Sequence, residues 1–294
     1  MKPSKLELLR SRLSLPVLQR SARVFSGVHH SRLNGYGQDF DDLAEYKIGD
    51  DVGDIDWKSS AAHARPIIKR FERSVNVAIT LLVDTGRSMS ALAPSREPKE
   101  DIALEAAEVL AYIGLMRGDL VGMVSGDAER LRSLPARGGN EHVELLMQRI
   151  RTDITPESPE SDLSRVLQTA FNQTRGQSIM VLLTDSFAIH PGLEPVLRKI
   201  RSIHRLLVVM VADADPTQLV EEGQVTDVSA GELMNMVLDD EQLHHIHENT
   251  QRQLVLSIFK MLRRLRVPAV TVTSTEDAVE AIIDVLGRPY VWGR

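Results

Sequence analysis

The sequence predicts an open, mostly parallel α/β sheet, and three observations carry that prediction. Short apolar runs rich in β-branched residues recur from about residue 76, they alternate with stretches of helical period, and two of the runs end in an aspartate. Runs of this kind fit strands covered on both faces, and the alternation fits crossovers that bring each strand back parallel to the last. At 294 residues, with 43% hydrophobic and 26% charged side chains, the chain has ample length for a core.

Taken in order, Val77–Val83 (VAITLLV) is the first strand. Ile102, Ala106, Val109, Leu110 and Ile113 then follow helical spacing, and Gly118 stops that helix. Leu120–Val124 reads as the next strand, with helical stretches around 141–150 and 162–172, the second opened by Ser161 as N-cap. Ile179–Leu183 (IMVLL) is a third strand, followed by a helix from about Gly192 to Ser202 and a strand at Leu206–Val211. A long helix runs from about Asp240 to Arg266, its last turn basic, as the helix dipole favours. Val270–Thr273 and Glu276–Leu286 supply a last strand and helix. Residues 1–75 stand apart as a basic arm and a distinctive acidic segment, and 76–294 form the α/β domain.

The formal net charge of −6 conceals strong segregation. Seven basic residues and Glu7 occupy 1–37, whereas eight acids and Lys47 occupy 38–56. Nine acids and no Lys or Arg fill 213–241. The acidic total argues against a nucleic-acid binder. The absence of cysteine excludes disulfides, thiol nucleophiles and cysteine-held metals. No apolar run reaches the roughly 18–20 residues of a membrane span, and the N-terminus has no signal-peptide core, so the chain reads as cytoplasmic. Leucines among the arginines of the arm offer peripheral membrane contact as an alternative, although Pro16 would break a helix there.

In sheets of this type ligands collect beyond the carboxyl ends of the strands. The strand at 77–83 runs into Asp84 and then the hydroxyl-rich loop Thr85-Gly86-Arg87-Ser88-Met89-Ser90, and the strand at 179–183 runs through Thr184 into Asp185. Two carboxylates and nearby hydroxyls would suit Mg²⁺, a hard ion that takes oxygen ligands and keeps waters. The plainer reading makes each aspartate a cap on its own loop. Asp84-Thr85-Gly86 also matches the aspartic-protease signature, but it occurs once, which would demand a homodimer, and the βα alternation is wrong for that all-β fold. There is no P-loop, dinucleotide fingerprint, nucleophile elbow or His-Glu-x-x-His pair, and His244, His245 and His247 read as exposed helix residues.

Residues 35–58 are more specific. They contain Asp39-Phe40, Leu43, Tyr46, Gly49-Asp50-Asp51, Asp54 and Ile55-Asp56-Trp57-Lys58 at fixed spacing, followed by Lys69-Arg70-Phe71-Glu72. This pattern closely resembles the signature of the bacterial family called domain of unknown function 58, in which it precedes a von Willebrand factor A-like domain. The resemblance runs from about Arg32 to the C-terminus. It implies a doubly wound, mostly parallel sheet with helices on both faces. It also implies a metal-ion-dependent adhesion site, with Asp84 and Ser88 in the first motif, Ser161 from a second loop and Asp185 from a third. Gly86 stands where the first serine is expected, so one hydroxyl ligand is missing and Mg²⁺ becomes optional. Ala44 and Gly53 replace usual arginines. Within the signature Phe40, Leu43, Tyr46, Ile48, Ile55 and Trp57 read as buried anchors, Gly49-Asp50-Asp51 as a turn, and the segment as a wrap that fixes the sheet edge. Direct partner contact by Asp50, Asp51 or Asp54 is the alternative.

Relatives of this kind commonly accompany MoxR-type AAA+ ATPases. The resemblance therefore implies a non-enzymatic adaptor that acts with such an ATPase on client proteins through a degraded adhesion site. The enzymatic alternative is a Mg²⁺-dependent hydrolase or a homodimeric aspartic protease centred on Asp84.

Overall fold

The computed structural model describes residues 39–47, 51–72, 78–214 and 241–287. It comprises two compact units. The smaller lies within Ser26–Asn76. In it β1 (Asp39–Glu45) pairs antiparallel with β2 (Ile67–Glu72), Glu45 opposite Ile67, with a register shift between Phe40 and Asp42. A 3-10 turn at Val52–Asp54 and the short helix α1 (Trp57–His63) connect the two strands.

The acidic signature residues here serve the backbone. Asp51 accepts a hydrogen bond from the Gly53 N–H at 2.8 Å, as the turn reading expects, and its carbonyl accepts from the Asp54 N–H at 3.1 Å. Asp56 caps α1, accepting from the N–H groups of Lys58 at 3.1 Å and Ser59 at 3.3 Å. The Ile67 N–H donates to the Ser60 hydroxyl at 2.8 Å, which fastens the helix to β2. None of the four expected anchors whose side chains are described is fully buried: Trp57 is 71% exposed and Leu43 38%, Tyr46 and Ile55 are half-buried, while Ile67 and Ile68 on β2 are buried instead. A two-stranded sheet with a two-turn helix encloses too little volume for six large apolar side chains. Asp50, Ile48 and the side chain of Phe40 lie outside the described residues, as do the basic arm and the acidic stretch 215–240. Among the described residues the signature's strand β1 pairs with β2 in a two-stranded sheet.

The larger unit is a six-stranded sheet. Its strands are β3 (Ala78–Asp84), β4 (Leu120–Gly126), β5 (Leu131–Arg137), β6 (Ser178–Asp185), β7 (Arg205–Val211) and β8 (Ala269–Val272). Their order is β5-β4-β3-β6-β7-β8, all parallel except β5, which pairs antiparallel with β4. The helices are α2 (Lys99–Met116), α3 (Asn140–Asp153), α4 (Leu163–Gln173), α5 (Glu194–Ile203), α6 (Glu241–Arg264) and α7 (Thr275–Gly287).

The apolar runs form strands because both faces are covered. On one face Leu82, Met180, Leu182, Val208 and Met210 pack with Leu167 of α4, Leu197 of α5 and Leu262 of α6. On the other, α2 lies against the sheet with α3 and α7 beside it. Ile102, Ala106, Val109, Leu110 and Ile113, the residues at helical spacing, are at most 1% exposed. Gly118 ends that helix with φ of +77°, a conformation glycine takes without penalty. The sequence did not predict β5: Leu131–Arg137 carries Arg132, Pro135 and Arg137, has no apolar run, and sits at an exposed edge where proline and charge are tolerated.

The N-cap of α4 is also a correction. Ser161 does not cap that helix; Asp162 does, accepting from the Arg165 N–H at 3.0 Å. The Ser161 hydroxyl is directed elsewhere, to the end of β3.

Candidate functional site at the carboxyl edge

Strand order reverses between β3 and β6, so the crevice typical of ligand sites in such sheets opens beside Asp84 and Asp185. Four adjacent parallel strands each deliver an aspartate to this edge: Asp127 just after β4, Asp84 closing β3, Asp185 closing β6, and Asp213 two residues beyond β7. Asp84 and Asp127 are 0% exposed and Asp185 is 2% exposed. Carboxylates so deep need partners, and each finds a different one.

Asp127 accepts from the backbone N–H groups of Glu129 at 2.9 Å and Arg130 at 2.7 Å, and pairs with the Arg130 guanidinium at 3.1 Å. Among the described residues Asp84 has no cation on it. One oxygen accepts from the Gly86 N–H at 2.9 Å, and the other from the hydroxyls of Ser161 at 2.9 Å and Thr184 at 2.8 Å. Burial pushes its carboxyl up to about 6, with help from the Asp185 charge and against the three hydrogen bonds. Asp185 accepts from the Phe187 N–H at 2.5 Å through one oxygen and from the Lys99 ammonium through the other. Lys99 also donates to Asp213. Burial alone would lower the Lys99 ammonium, but the two carboxylates outweigh it and hold the pKa above the usual lysine value. Burial and the Asp185 charge push Asp213 up to about 7, opposed by Lys99.

Of the four residues expected at the site, Asp84, Ser161 and Asp185 lie at this edge, and Ser88 stands aside. Ser161 reaches Asp84 across 77 positions of sequence, and Asp185 lies on the neighbouring strand. Ser88 sits half-buried in the 3-10 turn Arg87–Ser90, and its carbonyl accepts from the Ala91 N–H; it is not a partner of Asp84. Sequence reasoning missed Lys99, Thr184 and Asp127, and took Asp213 only as part of an acidic stretch. Lys99 left one faint signal. A basic residue at the first position of a helix opposes the helix dipole, so something nearby must offset its charge.

Mg²⁺ does not fit this arrangement as it stands. Asp84 already accepts three hydrogen bonds and the Lys99 ammonium lies on Asp185, so an ion between the two carboxylates would have to displace Lys99 from Asp185. The missing first hydroxyl cannot simply be restored, because a Cβ at residue 86 would lie 2.2 Å from the Ser161 hydroxyl oxygen. Among the described residues no three His, Asp or Glu side chains are grouped to hold a metal. Beside this cluster opens a polar groove of about 700 Å³, lined by Arg87, Glu129, Arg130, Glu157 and Glu160 among others.

Strand order, helices on both faces and an aspartate-bearing carboxyl edge define an α/β domain of the von Willebrand factor A-like class. The chain belongs to the family described as Protein of unknown function DUF58, whose model matches residues 42–255. An uncharacterized protein of Mycobacterium tuberculosis is 25% identical over 232 residues, covering 77% of this chain and 72% of that relative. Among solved structures, the conserved hypothetical protein BatB from Bacteroides thetaiotaomicron is similar with a TM-score of 0.48 and 15% identity, over 72% of this chain and 97% of that one. A von Willebrand factor type A protein from Catenulispora acidiphila has a TM-score of 0.45 and 14% identity, over 75% of this chain and 43% of that one.

Proposed function

We propose that this chain is a non-enzymatic, cytoplasmic protein-interaction adaptor that acts with a MoxR-type AAA+ ATPase in assembling or activating protein complexes, through an adhesion site that has degenerated. One observation carries the reading: Asp84, the residue on which either enzymatic alternative depends, is 0% exposed and both its oxygens are occupied. A carboxylate buried so completely, with three donors already on it, is out of reach of a substrate or an attacking water. What a partner meets at this edge is instead the loop surface around the polar groove, where Arg87 and Arg130 alternate with Glu129, Glu157 and Glu160. Mixed charge of this kind steers and selects a partner more than it adds affinity. No described helix is long and apolar enough to cross a membrane.

Co-purification of the full chain with a MoxR-type ATPase from the same genome tests the reading. The adaptor model predicts a complex that Arg87→Glu and Arg130→Glu together weaken by at least about tenfold. No association, with or without nucleotide and Mg²⁺, removes the model. A hydrolytic activity lost in Asp84→Asn restores the enzymatic one.

A further inference from the structure

A von Willebrand factor A-like edge is expected to gather its strand-end carboxylates around a divalent ion, yet here a side chain of the protein already lies among them. The Lys99 side chain is 0% exposed, and its ammonium contacts Asp185, whose side chain is 3% exposed, and Asp213, at 27%. A buried ammonium is costly unless counter-charges surround it, and a lysine at the first position of α2 also faces the positive end of that helix dipole. Its placement is therefore unfavourable in every respect but one: it stands between the carboxyl ends of β6 and β7.

The rest of the edge is arranged to match. Gly86 removes the side chain that would have faced an ion, and the Ser161 backbone and hydroxyl fill that space at 2.2–2.8 Å from where a Cβ would be. Ser161 and Thr184 spend their hydroxyl protons on Asp84, so the carboxylate with no ammonium on it is served by hydroxyl donors instead. We infer that Lys99 is the resident cation of this site, doing from within the chain what a divalent ion would otherwise do for the carboxyl ends of β6 and β7. Because the ammonium is fully buried, a partner's acidic side chain cannot reach it, so recognition at this edge is independent of metal and runs through the loops. This inference rests on the cluster geometry and stands whether or not the partner is an ATPase.

The test is thermal melting of the full chain and of Lys99→Met, each with and without Mn²⁺ at matched ionic strength. The wild-type transition should not move with Mn²⁺. Lys99→Met should melt roughly 6–20 °C lower, because the two carboxylates lose their counter-ion. Mn²⁺, but not added NaCl, should recover part of that loss. Lys99→Met combined with Asp185→Asn and Asp213→Asn should melt above Lys99→Met alone and ignore Mn²⁺. If Lys99→Met does not fold, the triple variant decides: folding supports the inference, and failure to fold overturns it. It is equally overturned if Mn²⁺ raises the wild-type transition and Asp84→Ala abolishes the rise, if Lys99→Met melts with the wild type, or if Lys99→Met ignores Mn²⁺.

Discussion

Replacing Gly86 puts the closed geometry of the site under direct strain. Its φ is −63°, so the glycine is not there for backbone freedom, and any cost of a side chain must come from space. A Cβ would lie 2.2 Å from the Ser161 hydroxyl oxygen, 2.6 Å from its backbone nitrogen and 2.8 Å from its Cα. The hydroxyl can rotate away, at the loss of its bond to buried Asp84, which costs about 1–3 kcal/mol. The backbone atoms cannot rotate, so the loop entering α4 must retreat by the better part of an ångström to reach ordinary contact at 3.4 Å. Overpacking of this kind adds about 1–3 kcal/mol. Gly86→Ala should therefore destabilise the protein by about 2–6 kcal/mol, seen as a fall of roughly 4–24 °C in melting temperature. Gly53→Ala is the control: there the nearest atom is a carboxylate oxygen of Asp51 at 3.2 Å, on a side chain that can yield. Melting of Gly86→Ala within about 1 °C of the wild type would refute the packing argument.

Other perturbations probe neighbouring contacts. Because the Asp84 carboxyl is raised from 3.8 to about 6, its contribution to stability is complete below pH 3.8 and is lost as the pH rises through about 6. That loss amounts to about 3 kcal/mol, so Asp84→Asn should gain about that much on the wild type between about pH 4 and pH 7 in denaturant unfolding; parallel pH profiles contradict it. Asp162→Ala should cost about 1 kcal/mol in the same assay through loss of the α4 cap, and no loss would return the capping role to Ser161. Glu97 accepts from the Thr275 N–H at 2.9 Å and from its hydroxyl at 2.6 Å, fixing the start of α7, so Glu97→Ala should speed amide exchange in the first turn of that helix while leaving α4 unchanged.

Strands covered on both faces were the most legible in the sequence, because burial on both sides writes a continuous apolar run: Val77–Val83, Leu120–Val124, Ile179–Leu183 and Leu206–Val211 each overlap an observed strand, and Val270–Thr273 overlaps the half-buried β8. β5 was not legible, since an exposed edge strand is free to carry Arg132, Pro135 and Arg137. Asp84 and Asp185 could be placed because they close such runs. The destination of the Ser161 hydroxyl could not be read locally. A serine followed by an aspartate before a helix is a good cap by either residue, and only the approach of the β3 end, 77 positions earlier, decides which one is used. Lys99 escaped because apolar periodicity starts the helix at Ile102, and periodicity is blind to a charge buried by pairing with residues more than 80 positions away. Trp57 erred in the opposite direction: scarcity of aromatics implies burial only where the unit is large enough to supply an interior.

The central claim, that the carboxyl edge carries its cation as a lysine, is tested most directly by a crystal structure grown in excess Mn²⁺ with anomalous data collected at the manganese edge. The account predicts the Lys99 ammonium between Asp185 and Asp213, hydroxyls of Ser161 and Thr184 on Asp84, and no anomalous peak at that edge. A manganese peak between Asp84 and Asp185, with Lys99 turned away, would contradict it.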